Sequence, residues 1–334
     1  MKKIAIIGAG SWGTALSLVL TRSRAAHQVS LWALEPEVVE SLRSRRVNEV
    51  FLPDFEVPPC VAVTDDLTEA LGGADIVLGV MPSAHARRLY TEMLPHVSAR
   101  TAIVSATKGL EPDSLLRMSE VITQTFSSKF TPRVAALSGP SFAREVAQGD
   151  PTAVVIASAD AALAVEIQDE FSGPTFRLYR NSDLVGVELG GAVKNVIAIA
   201  AGVTEGLSFG HNTRAALITR GLAEMTRLGL ALGARMETMA GLAGMGDLVL
   251  TCTGPLSRNH SVGVQLGKGR PLEEIVGSMR MVAEGVGTTA ATRTLAHRLG
   301  IEMPITEQMY AVLYERRSPL DAIRELMERR LKHE

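Results

Sequence analysis

A glycine-rich turn near the N-terminus constrains the fold of this chain more than any other feature. Gly8, Gly10 and Gly13 follow the apolar run Lys3–Ile7, and the helix-periodic segment Thr14–Thr21 comes next. Gly8 permits a tight turn, Gly10 lets the backbone approach a pyrophosphate, and Gly13 allows close packing of helix and strand. The positive end of the helix attracts the anion. The sequence therefore predicts a strand, a phosphate-binding turn and a helix.

An acidic residue follows the second β-rich run, Gln28–Trp32. Glu35 lies at about the 20-residue offset from the turn at which a carboxylate binds the ribose of a dinucleotide. Because Pro36 and Glu37 follow it, an acid at the start of a helix is the alternative interpretation. The stretch 33–35 contains no basic residue to hold a 2′-phosphate. Turn and acid together predict a site for NAD(H) or NADP(H).

The first half of the chain alternates β-rich runs with segments of helical periodicity. Further β-rich runs occur at Ile76–Val80, Thr101–Ser105, Val134–Leu137, Thr152–Ala157 and Thr175–Tyr179, and further helices are predicted at Glu37–Arg45 and Ala161–Phe171. Strands that alternate with helices indicate parallel βαβ units. We therefore expect an α/β Rossmann-like doubly wound sheet in a dinucleotide-binding domain over residues 1–181.

After Asn181 the β-rich runs stop, and long apolar-periodic stretches predict an all-α C-terminal domain over residues 182–334. The last predicted helix has Ser318 as its N-cap and Pro319 in its first turn. Its apolar face comprises Leu320, Ile323, Leu326, Met327 and Leu331. We expect that face to dock on its own domain, although a partner could also bind there.

Charge and composition argue against several classes of protein. The net charge of -2 and the 4% aromatic content give no basis for binding nucleic acid. No apolar run reaches the ~18 residues of a membrane span. The two cysteines, Cys60 and Cys252, fit neither a disulfide framework nor a metal site, which indicates a reducing, cytoplasmic compartment. Cys252 has no evident general base beside it, so a packed thiol is expected there rather than a nucleophile.

Polar groups follow three of the predicted strands, at Val80–Ser83, Thr107–Gly109 and Ser138–Ser141. Ligands of open α/β sheets bind beyond the carboxyl ends of the strands, so these segments should face one crevice. Lys108 is a cation after an otherwise apolar strand, which favours a functional role over that of an ordinary surface lysine.

A second lysine, Lys194, lies among small apolar residues on nearly every face of a predicted helix. A buried lysine is costly, and desolvation together with repulsion from Lys108 would lower its pKa toward the range of a general base. The alternative is a lysine whose ammonium reaches solvent from a helix end. The crowding favours burial and a role as the base.

The chain closely resembles the bacterial NAD(P)-dependent glycerol-3-phosphate dehydrogenases. The resemblance rests on Gly8–Gly13, Ala106–Glu111, Ser138–Ala143, Gly190–Asn195, Ala215–Glu224, Gly241–Thr253, Leu256–Asn259 and Met303–Glu307. These matches run in order from the first strand almost to the C-terminus, and together they are highly specific. The glycine turn alone would indicate only a superfamily.

The resemblance implies a reaction and a set of site residues. Glycerol 3-phosphate and dihydroxyacetone phosphate would be interconverted by hydride transfer, with Lys194 as the proton acceptor from the C2 hydroxyl and Lys108 in contact with substrate and cofactor. The implied substrate residues are Gly139, Ser141, Asn195, Asp247, Thr251, Ser257, Arg258 and Asn259, and the implied dinucleotide residues are Ser11, Trp12, Ala143, Arg258, Val282 and Glu284. A homodimer and a role in supplying glycerophospholipid synthesis are also implied.

Residue chemistry agrees with this assignment of a small phosphorylated three-carbon substrate. Ser257–Asn259 precedes a predicted helix at His260–Leu266, so its amides could face a phosphate. Asp247 could orient Lys194 or bind a hydroxyl, and a turn or helix cap is its alternative role. For His211 and His260 we expect loop or surface roles, because Lys194 already supplies the base.

Two other functions fit parts of the sequence. A related dehydrogenase of 3-hydroxy acids or sugar phosphates would share the two-domain plan, but Asp247 and Ser257–Asn259 favour glycerol phosphate. A non-catalytic dinucleotide-sensing protein would have no need of Lys108 and Lys194, and the chain retains both.

Overall fold

The computed structural model describes residues 1–330. Within that range ten strands form two sheets: β1 Lys2–Ile7, β2 His27–Trp32, β3 Val47–Asn48, β4 Leu52–Glu56, β5 Val61–Thr64, β6 Ile76–Gly79, β7 Ala102–Ser105, β8 Arg133–Ser138, β9 Thr152–Ala157 and β10 Phe176–Asn181. Eight of them form the main sheet, in the order β10-β9-β8-β7-β6-β1-β2-β5. β3 and β4 form a separate small hairpin.

The helices of the first half pack against the main sheet: α1 Ser11–Thr21, α2 Pro36–Ser44, α3 Leu67–Leu71, α4 Ala86–Met93, α5 Met118–Phe126, α6 Ala143–Gln148 and α7 Ala161–Phe171. The second half is helical: α8 Leu184–Gly206, α9 His211–Ala231, α10 Met236–Met239, α11 Asp247–Thr253, α12 Arg258–Gly267, α13 Leu272–Gly277, α14 Glu284–Leu299, α15 Pro304–Tyr314 and α16 Pro319–Met327. A π-helical turn, Leu242–Gly246, precedes α11. The predicted fold class is therefore confirmed.

The main sheet reverses its order at β1, which lies between β6 and β2. All neighbouring strands are parallel except β8 and β9, which pair antiparallel. The prediction that the runs at Thr152–Ala157 and Thr175–Tyr179 extend the sheet is correct, but a fully parallel sheet is not what forms. An apolar run specifies a buried strand and carries no signal for its direction.

The seven predicted strands are all present, with ends within two residues of those predicted. Strands β3, β4 and β5 were not predicted. β3 has two residues and β4 is mostly exposed, so neither forms an apolar run. β5 contains the apolar residues Val61, Ala62 and Val63, but it is only four residues long. The missed β3–β4 hairpin lies against the glycine turn and becomes important for the site.

Helix α8 is the central element of the second half. It is long and apolar enough to cross a membrane by length and composition, but 89% of its most apolar window is buried in the protein. That burial is typical of a core helix. Helices α9, α11, α12 and α14 all pack on α8, so side chains from several of them can meet around it.

Helix α16 differs from the prediction in its N-cap and in its buried face. It begins at Pro319 as predicted, although the Ser318 hydroxyl makes no capping hydrogen bond. Ile323 and Leu326 pack on the helical core, and Ala322 is fully buried. Met327, expected on the docked face, is 79% exposed, and Leu320 is 38% exposed. The docked face is therefore narrower than predicted; Leu331 lies outside the described residues.

Candidate active site

The glycine turn joins β1 to α1 at the point where the strand order reverses. Gly8 has φ +118°, and a Cβ there would lie 2.9 Å from the carbonyl oxygen of Val80. A Cβ on Gly13 would lie 1.8 Å from the carbonyl oxygen of Gly8. A Cβ on Gly10 would meet no protein atom within 4 Å. Packing within the protein requires glycine at positions 8 and 13. At Gly10 the space beside the backbone contains no protein atom, so a ligand can approach the backbone there.

The first turn of α1 is free to receive an anion. No side chain caps its N-terminus, and no acidic residue lies in its first turn. The first amides of an α-helix have no partner within the helix, and they carry partial positive charge. The turn therefore fits the diphosphate of a dinucleotide.

Two lysines from opposite halves of the chain meet on one carboxylate. Lys108 Nζ donates to Asp247 Oδ2 at 2.8 Å, and Lys194 Nζ donates to Asp247 Oδ1 at 2.6 Å. Asp247 is fully buried at the start of α11. The cluster holds two ammonium groups and one carboxylate, so it retains excess positive charge beside the strand ends.

Lys194 lies within α8 and is only 6% exposed, so the alternative of a lysine that reaches solvent does not occur. Burial is the main cause that lowers its pKa to about 8; Asp247 opposes the shift and Lys108 adds to it. Its second contact is Thr251 Oγ1, at 2.7 Å. An ammonium has three donors, and these two contacts use two of them. The third N–H has no partner among the described residues.

Lys108 also contacts the loop that follows β8. Its Nζ donates to the carbonyl oxygen of Gly139 at 2.8 Å and to Ser141 Oγ at 3.3 Å. The strand ends predicted to share a crevice at Thr107–Gly109 and Ser138–Ser141 are therefore in contact. Lys108, Gly139, Ser141, Lys194, Asp247 and Thr251 form one continuous cluster, which we call the two-lysine cluster.

Two asparagines extend this cluster toward α12. Asn259 Nδ2 donates to Asn195 Oδ1 at 2.9 Å, and the amide N–H of Gly285 donates to Asn259 Oδ1 at 2.9 Å. Asn195 Nδ2 donates to the carbonyl oxygen of Lys108 at 3.4 Å. These bonds join α8, α12, α14 and the strand end that carries Lys108. The predicted substrate residues Asn195 and Asn259 are thus adjacent to the lysines.

The segment Ser257–Asn259 begins α12, because Ser257 is the N-cap and its hydroxyl accepts from the amide of His260. The helix starts at Arg258, two residues earlier than predicted. The Arg258 guanidinium is exposed and donates to the carbonyl oxygen of Val282 at 2.9 Å. Arg258 and Val282, both expected at the dinucleotide, are therefore in direct contact.

Glu284 joins the two halves of the chain at the start of α14. Its carboxylate accepts from the amide of Ser83 at 3.0 Å and from Ser83 Oγ at 2.7 Å. A Cβ on Gly109 would lie 3.0 Å from the same carboxylate. Glu284 therefore lies between two of the predicted strand ends, next to the residue that follows Lys108.

Two family models match the chain in succession. The N-terminal model of NAD-dependent glycerol-3-phosphate dehydrogenase covers residues 3–164, and the C-terminal model covers residues 183–324. The chain belongs to the NAD-dependent glycerol-3-phosphate dehydrogenase family. The family indicated by the sequence motifs is thereby confirmed.

Relatives in this family match over almost the whole chain. Glycerol-3-phosphate dehydrogenase [NAD(P)+] of Koribacter versatilis is 62% identical over 98% of both chains. The protein of the same name from Citrifermentans bemidjiense is 57% identical over 100% of this chain and 99% of its own. The crystal structure of glycerol-3-phosphate dehydrogenase from Coxiella burnetii has a TM-score of 0.94 at 42% identity, covering 98% of this chain and 99% of that one.

Ser11, Trp12 and Ala143 are the other residues predicted to contact the dinucleotide. Ser11 Oγ donates to the carbonyl oxygen of Phe51, and Trp12 packs against Phe176 with ring centroids 6.4 Å apart. Ala143 is the first residue of α6 and packs on the sheet core. Their roles toward a cofactor stay predictions.

Glu35 is the N-cap residue of α2, but its carboxylate makes no capping bond to the helix. It is half-buried and lies three residues beyond the end of β2. The nearby arginines all have partners. Arg43 pairs with Asp65 and Arg45 with Glu49, while Arg46 donates to backbone carbonyls of residues 57, 58 and 61.

Three residues outside the cluster bear on the predictions. Cys252 is fully buried, and burial raises its pKa to about 12, so it is a packed, protonated thiol as expected. His211 is exposed at the start of α9. His260 is only 6% exposed, so the expected loop or surface role for it is wrong. It lies within α12, as predicted, but α12 packs against α8 and buries this side chain.

Several contacts at the site were not predicted from the sequence. Asn48 of β3 reaches the glycine turn, and Met281 Sδ accepts from Ser11 Oγ at 3.1 Å. No local pattern distinguishes either residue, because their importance depends on elements distant in sequence. Among residues 1–330 no group of three or more His, Cys, Asp or Glu side chains could hold a metal ion.

Proposed function

We propose that this protein interconverts sn-glycerol 3-phosphate and dihydroxyacetone phosphate with NAD(H) or NADP(H). The observation that carries the proposal is the buried ion pair of Lys194 with Asp247, which lies beside Lys108 just beyond the end of β7. Relatives with 62% and 57% identity bear the name of this activity. The bound nicotinamide would supply or accept the hydride at the C2 carbon.

Lys194 is the proton donor and acceptor in this proposal. During reduction its ammonium gives one proton to the ketone oxygen as the hydride adds to C2, which yields the secondary alcohol. During oxidation the neutral amine accepts the hydroxyl proton. A pKa of about 8 allows both protonation states near neutral pH, which suits a general acid and base. The third N–H of Lys194, which no described residue accepts, supports this role.

Lys108 and Asp247 would orient the Lys194 ammonium and determine the net charge around the proton that it transfers. Asp247 fixes the direction of the Lys194 ammonium, because its buried oxygens accept from both lysines. The excess positive charge of the two-lysine cluster would stabilise the negative charge that develops on the C2 oxygen. Thr251 would hold Lys194 from a second side.

The phosphate of the substrate would bind at the start of α12. Arg258 offers an exposed guanidinium there, and the helix N-terminus adds backbone amides. Ser257 and Asn259 flank it, and Asn195 connects it to Lys108. Gly139 and Ser141 would contact the three-carbon chain because both already contact Lys108.

The cofactor would bind across the glycine turn. Gly8, Gly10 and Gly13 would accommodate the diphosphate together with Ser11 and Trp12, and Glu35 would bind the ribose. Ala143, Lys108, Arg258, Val282 and Glu284 would contact the dinucleotide from the other side. The contact between Arg258 and Val282, and the position of Glu284 beside Gly109, support this assignment.

The domain division, the oligomeric state and the cellular role belong to the same proposal. Residues 1–181 would be the cofactor domain and residues 182–334 the substrate domain; the last strand ends at Asn181, which supports the division.

A homodimer is proposed, supported by the exposed small residues Ala215, Ala216 and Thr219 of α9, which lie in a family motif. The free thiol of exposed Cys60 supports a reducing cytoplasm. There the product would supply glycerophospholipid synthesis.

The test of the activity is NADH oxidation with dihydroxyacetone phosphate, compared with a panel of keto acids and sugar phosphates at equal concentration. We expect dihydroxyacetone phosphate to give the highest kcat/KM by a wide margin. A keto acid with higher kcat/KM would instead indicate a hydroxy-acid dehydrogenase. NADH binding without turnover of any substrate in the panel would indicate a dinucleotide sensor.

A further inference from the structure

Asn48 is a fully buried polar residue outside the two-lysine cluster. It belongs to β3 of the small hairpin, which is not part of the main sheet. Its Nδ2 donates to the carbonyl oxygen of Ala9 at 2.7 Å and to Thr14 Oγ1 at 2.8 Å, and its Oδ1 accepts from the amide of Phe51 at 3.0 Å. Both polar atoms of the side chain are therefore used, and two of the three bonds go to the glycine turn and α1.

The carbonyl of Ala9 matters because of where it lies. Ala9 separates Gly8 from Gly10 and is only 2% exposed. Its carbonyl oxygen accepts from a side chain that has no exposed surface, so this oxygen points into the protein. An oxygen turned outward at this position would place negative charge beside the N-terminus of α1, where the amides attract an anion.

The hairpin contacts the turn at a second point. Ser11 Oγ donates to the carbonyl oxygen of Phe51 at 2.7 Å, and the amide of Phe51 is the donor to Asn48. The segment from Asn48 to Phe51 therefore bonds to both ends of the stretch from Ala9 to Ser11. Glycines give this turn backbone freedom, so it needs such external contacts to hold one conformation.

We propose that Asn48 is a positioning residue for the cofactor: its amide keeps the Ala9 carbonyl inside the protein so that the amides at the start of α1 face the diphosphate. The inference rests on the proposed binding of the diphosphate at the glycine turn. Asn48 itself does not touch the cofactor, because it is buried beneath the turn. Its contribution is the orientation of backbone groups before the cofactor arrives.

A purely structural role predicts something different. Removal of any buried hydrogen-bonded amide lowers the free energy of unfolding, whatever its function. The proposal adds that the affinity for diphosphate-containing ligands falls, while the affinity for ligands without a diphosphate does not. Stability alone cannot separate the two roles, and ligand discrimination can.

The experiment compares Asn48→Ala and Asn48→Asp with the wild-type protein. The dissociation constants of NADH, ADP and adenosine are measured by titration or by competition, and kcat and the KM for dihydroxyacetone phosphate are measured at saturating NADH. We expect weaker NADH and ADP binding by ~10-fold or more, as for the loss of one or two oriented donors to an anion. Adenosine affinity, kcat and the substrate KM should stay near wild type.

Asn48→Asp should weaken NADH and ADP binding further than Asn48→Ala does. The carboxylate keeps the shape of the amide but presents lone pairs to the Ala9 carbonyl, and its charge lies close to the anion. Asn48→Ser, with a shorter polar side chain, replaces either variant that does not give folded protein.

Two control variants make the outcome decisive. Asn181→Ala removes a half-buried asparagine of β10 that bonds to Thr238 and Asp183, so it reports the cost of a structural amide at the far edge of the sheet. Gly10→Ala adds a Cβ that meets no protein atom within 4 Å, so it should fold and yet block the diphosphate. We expect normal ADP affinity for Asn181→Ala and a large loss for Gly10→Ala.

The possible results separate the inference from its premise. If folded Asn48 variants bind ADP as the wild type does, or lose ADP and adenosine affinity equally, Asn48 is not a positioning residue for the diphosphate. If Gly10→Ala also binds ADP normally, the premise that the turn binds the diphosphate is wrong. Loss in Gly10→Ala without loss in the Asn48 variants overturns the inference alone.

Discussion

The carboxylate of Asp247 accepts a 2.6 Å hydrogen bond from the Nζ of Lys194, and both side chains are buried. The same carboxylate accepts from Lys108, so neither removal of Lys194 nor removal of Lys108 leaves Asp247 without a counter-charge. A buried carboxylate with no partner would be strongly destabilising. The shared arrangement therefore allows each lysine to be tested separately in a folded protein.

Lys194→Ala should lower kcat by at least ~10²-fold, the usual contribution of a general acid or base. The variant should stay folded, because Lys108 still pairs with Asp247, and its NADH affinity should be near wild type. Circular dichroism, NADH titration and steady-state kinetics check the three expectations. Lys268→Ala, at an exposed lysine after α12, is the control. A folded Lys194→Ala enzyme with near-normal kcat would exclude Lys194 as the base.

The pH dependence should follow the pKa of Lys194, about 8. Oxidation of glycerol 3-phosphate needs the neutral amine, so its kcat should rise as pH increases through about 8. Reduction of dihydroxyacetone phosphate needs the ammonium, so its kcat should fall over the same range. Because Asp247 raises this pKa, Asp247→Asn should move both profiles to lower pH. If the pH profiles do not move in Asp247→Asn, the group that titrates is not Lys194.

Arg258→Ala should act mainly on recognition of the substrate phosphate. A hydrogen bond to a charged group is worth ~1.5–3 kcal/mol, so kcat/KM should fall roughly ten- to hundredfold for glycerol 3-phosphate. The side chain is exposed, so its removal leaves no buried charge. The decisive comparison is with unphosphorylated glycerol, for which kcat/KM should change little. Both are measured at saturating cofactor, because Arg258 is also proposed to contact the dinucleotide. Equal losses on both substrates would show that Arg258 does not bind the phosphate. The control variant is Arg298→Ala, at an exposed arginine in the last turn of α14.

Glu224 should make stability depend on pH. It is 2% exposed and accepts from the amides of Ile305 and Thr306 at the start of α15, and burial raises its pKa to about 7. The folded state therefore binds a proton that the unfolded state releases between the ordinary glutamate pKa and about 7. The free energy of unfolding should fall as pH rises through that interval, by an amount on the order of 2–3 kcal/mol.

Urea denaturation between pH 4.5 and pH 7.5 measures this effect, and Glu224→Gln should remove that part of the pH dependence. Glu237→Gln, at an exposed glutamate in α10, should keep the wild-type dependence. If the free energy of unfolding of Glu224→Gln depends on pH as strongly as that of the wild type, groups other than Glu224 cause the dependence.

Local chemistry explains how far the sequence could predict this molecule. The glycine turn, the alternation of strands and helices and the apolar surroundings of Lys194 are all encoded within short windows, and each led to a correct expectation of fold or burial. The pairing of Asp247 with Lys108 and Lys194 joins residues 139 and 53 positions apart, so only the folded chain reveals it. From the sequence, orientation of Lys194 was one of the expected roles of Asp247, but the contact of Asp247 with Lys108 was not expected.

The failures have equally specific causes. The direction of β9 could not be predicted, because an apolar run has the same composition in either direction. The burial of His260 was not predicted, because it depends on the packing of α12 against the distant helix α8. Asn48 was not predicted because its strand has only two residues and its partners, Ala9 and Thr14, lie beyond an intervening strand and helix.

The choice between NADH and NADPH depends on Glu35. Its carboxylate follows β2 without capping α2, which leaves it available to the ribose 2′-hydroxyl and repulsive to a 2′-phosphate. Arg43 and Arg45 are paired with acids, and Arg46 is bonded to backbone carbonyls, so no basic side chain of this region is free to compensate.

We therefore expect kcat/KM for NADH to exceed that for NADPH by ~10–100-fold, the scale of one close charge repulsion. Glu35→Gln should reduce the ratio by raising kcat/KM for NADPH, because the amide removes the charge and keeps the shape. Glu37→Gln, at an exposed acid in the first turn of α2, should leave the ratio unchanged. A wild-type preference for NADPH, or an unchanged ratio in Glu35→Gln, would mean that Glu35 does not bind the ribose.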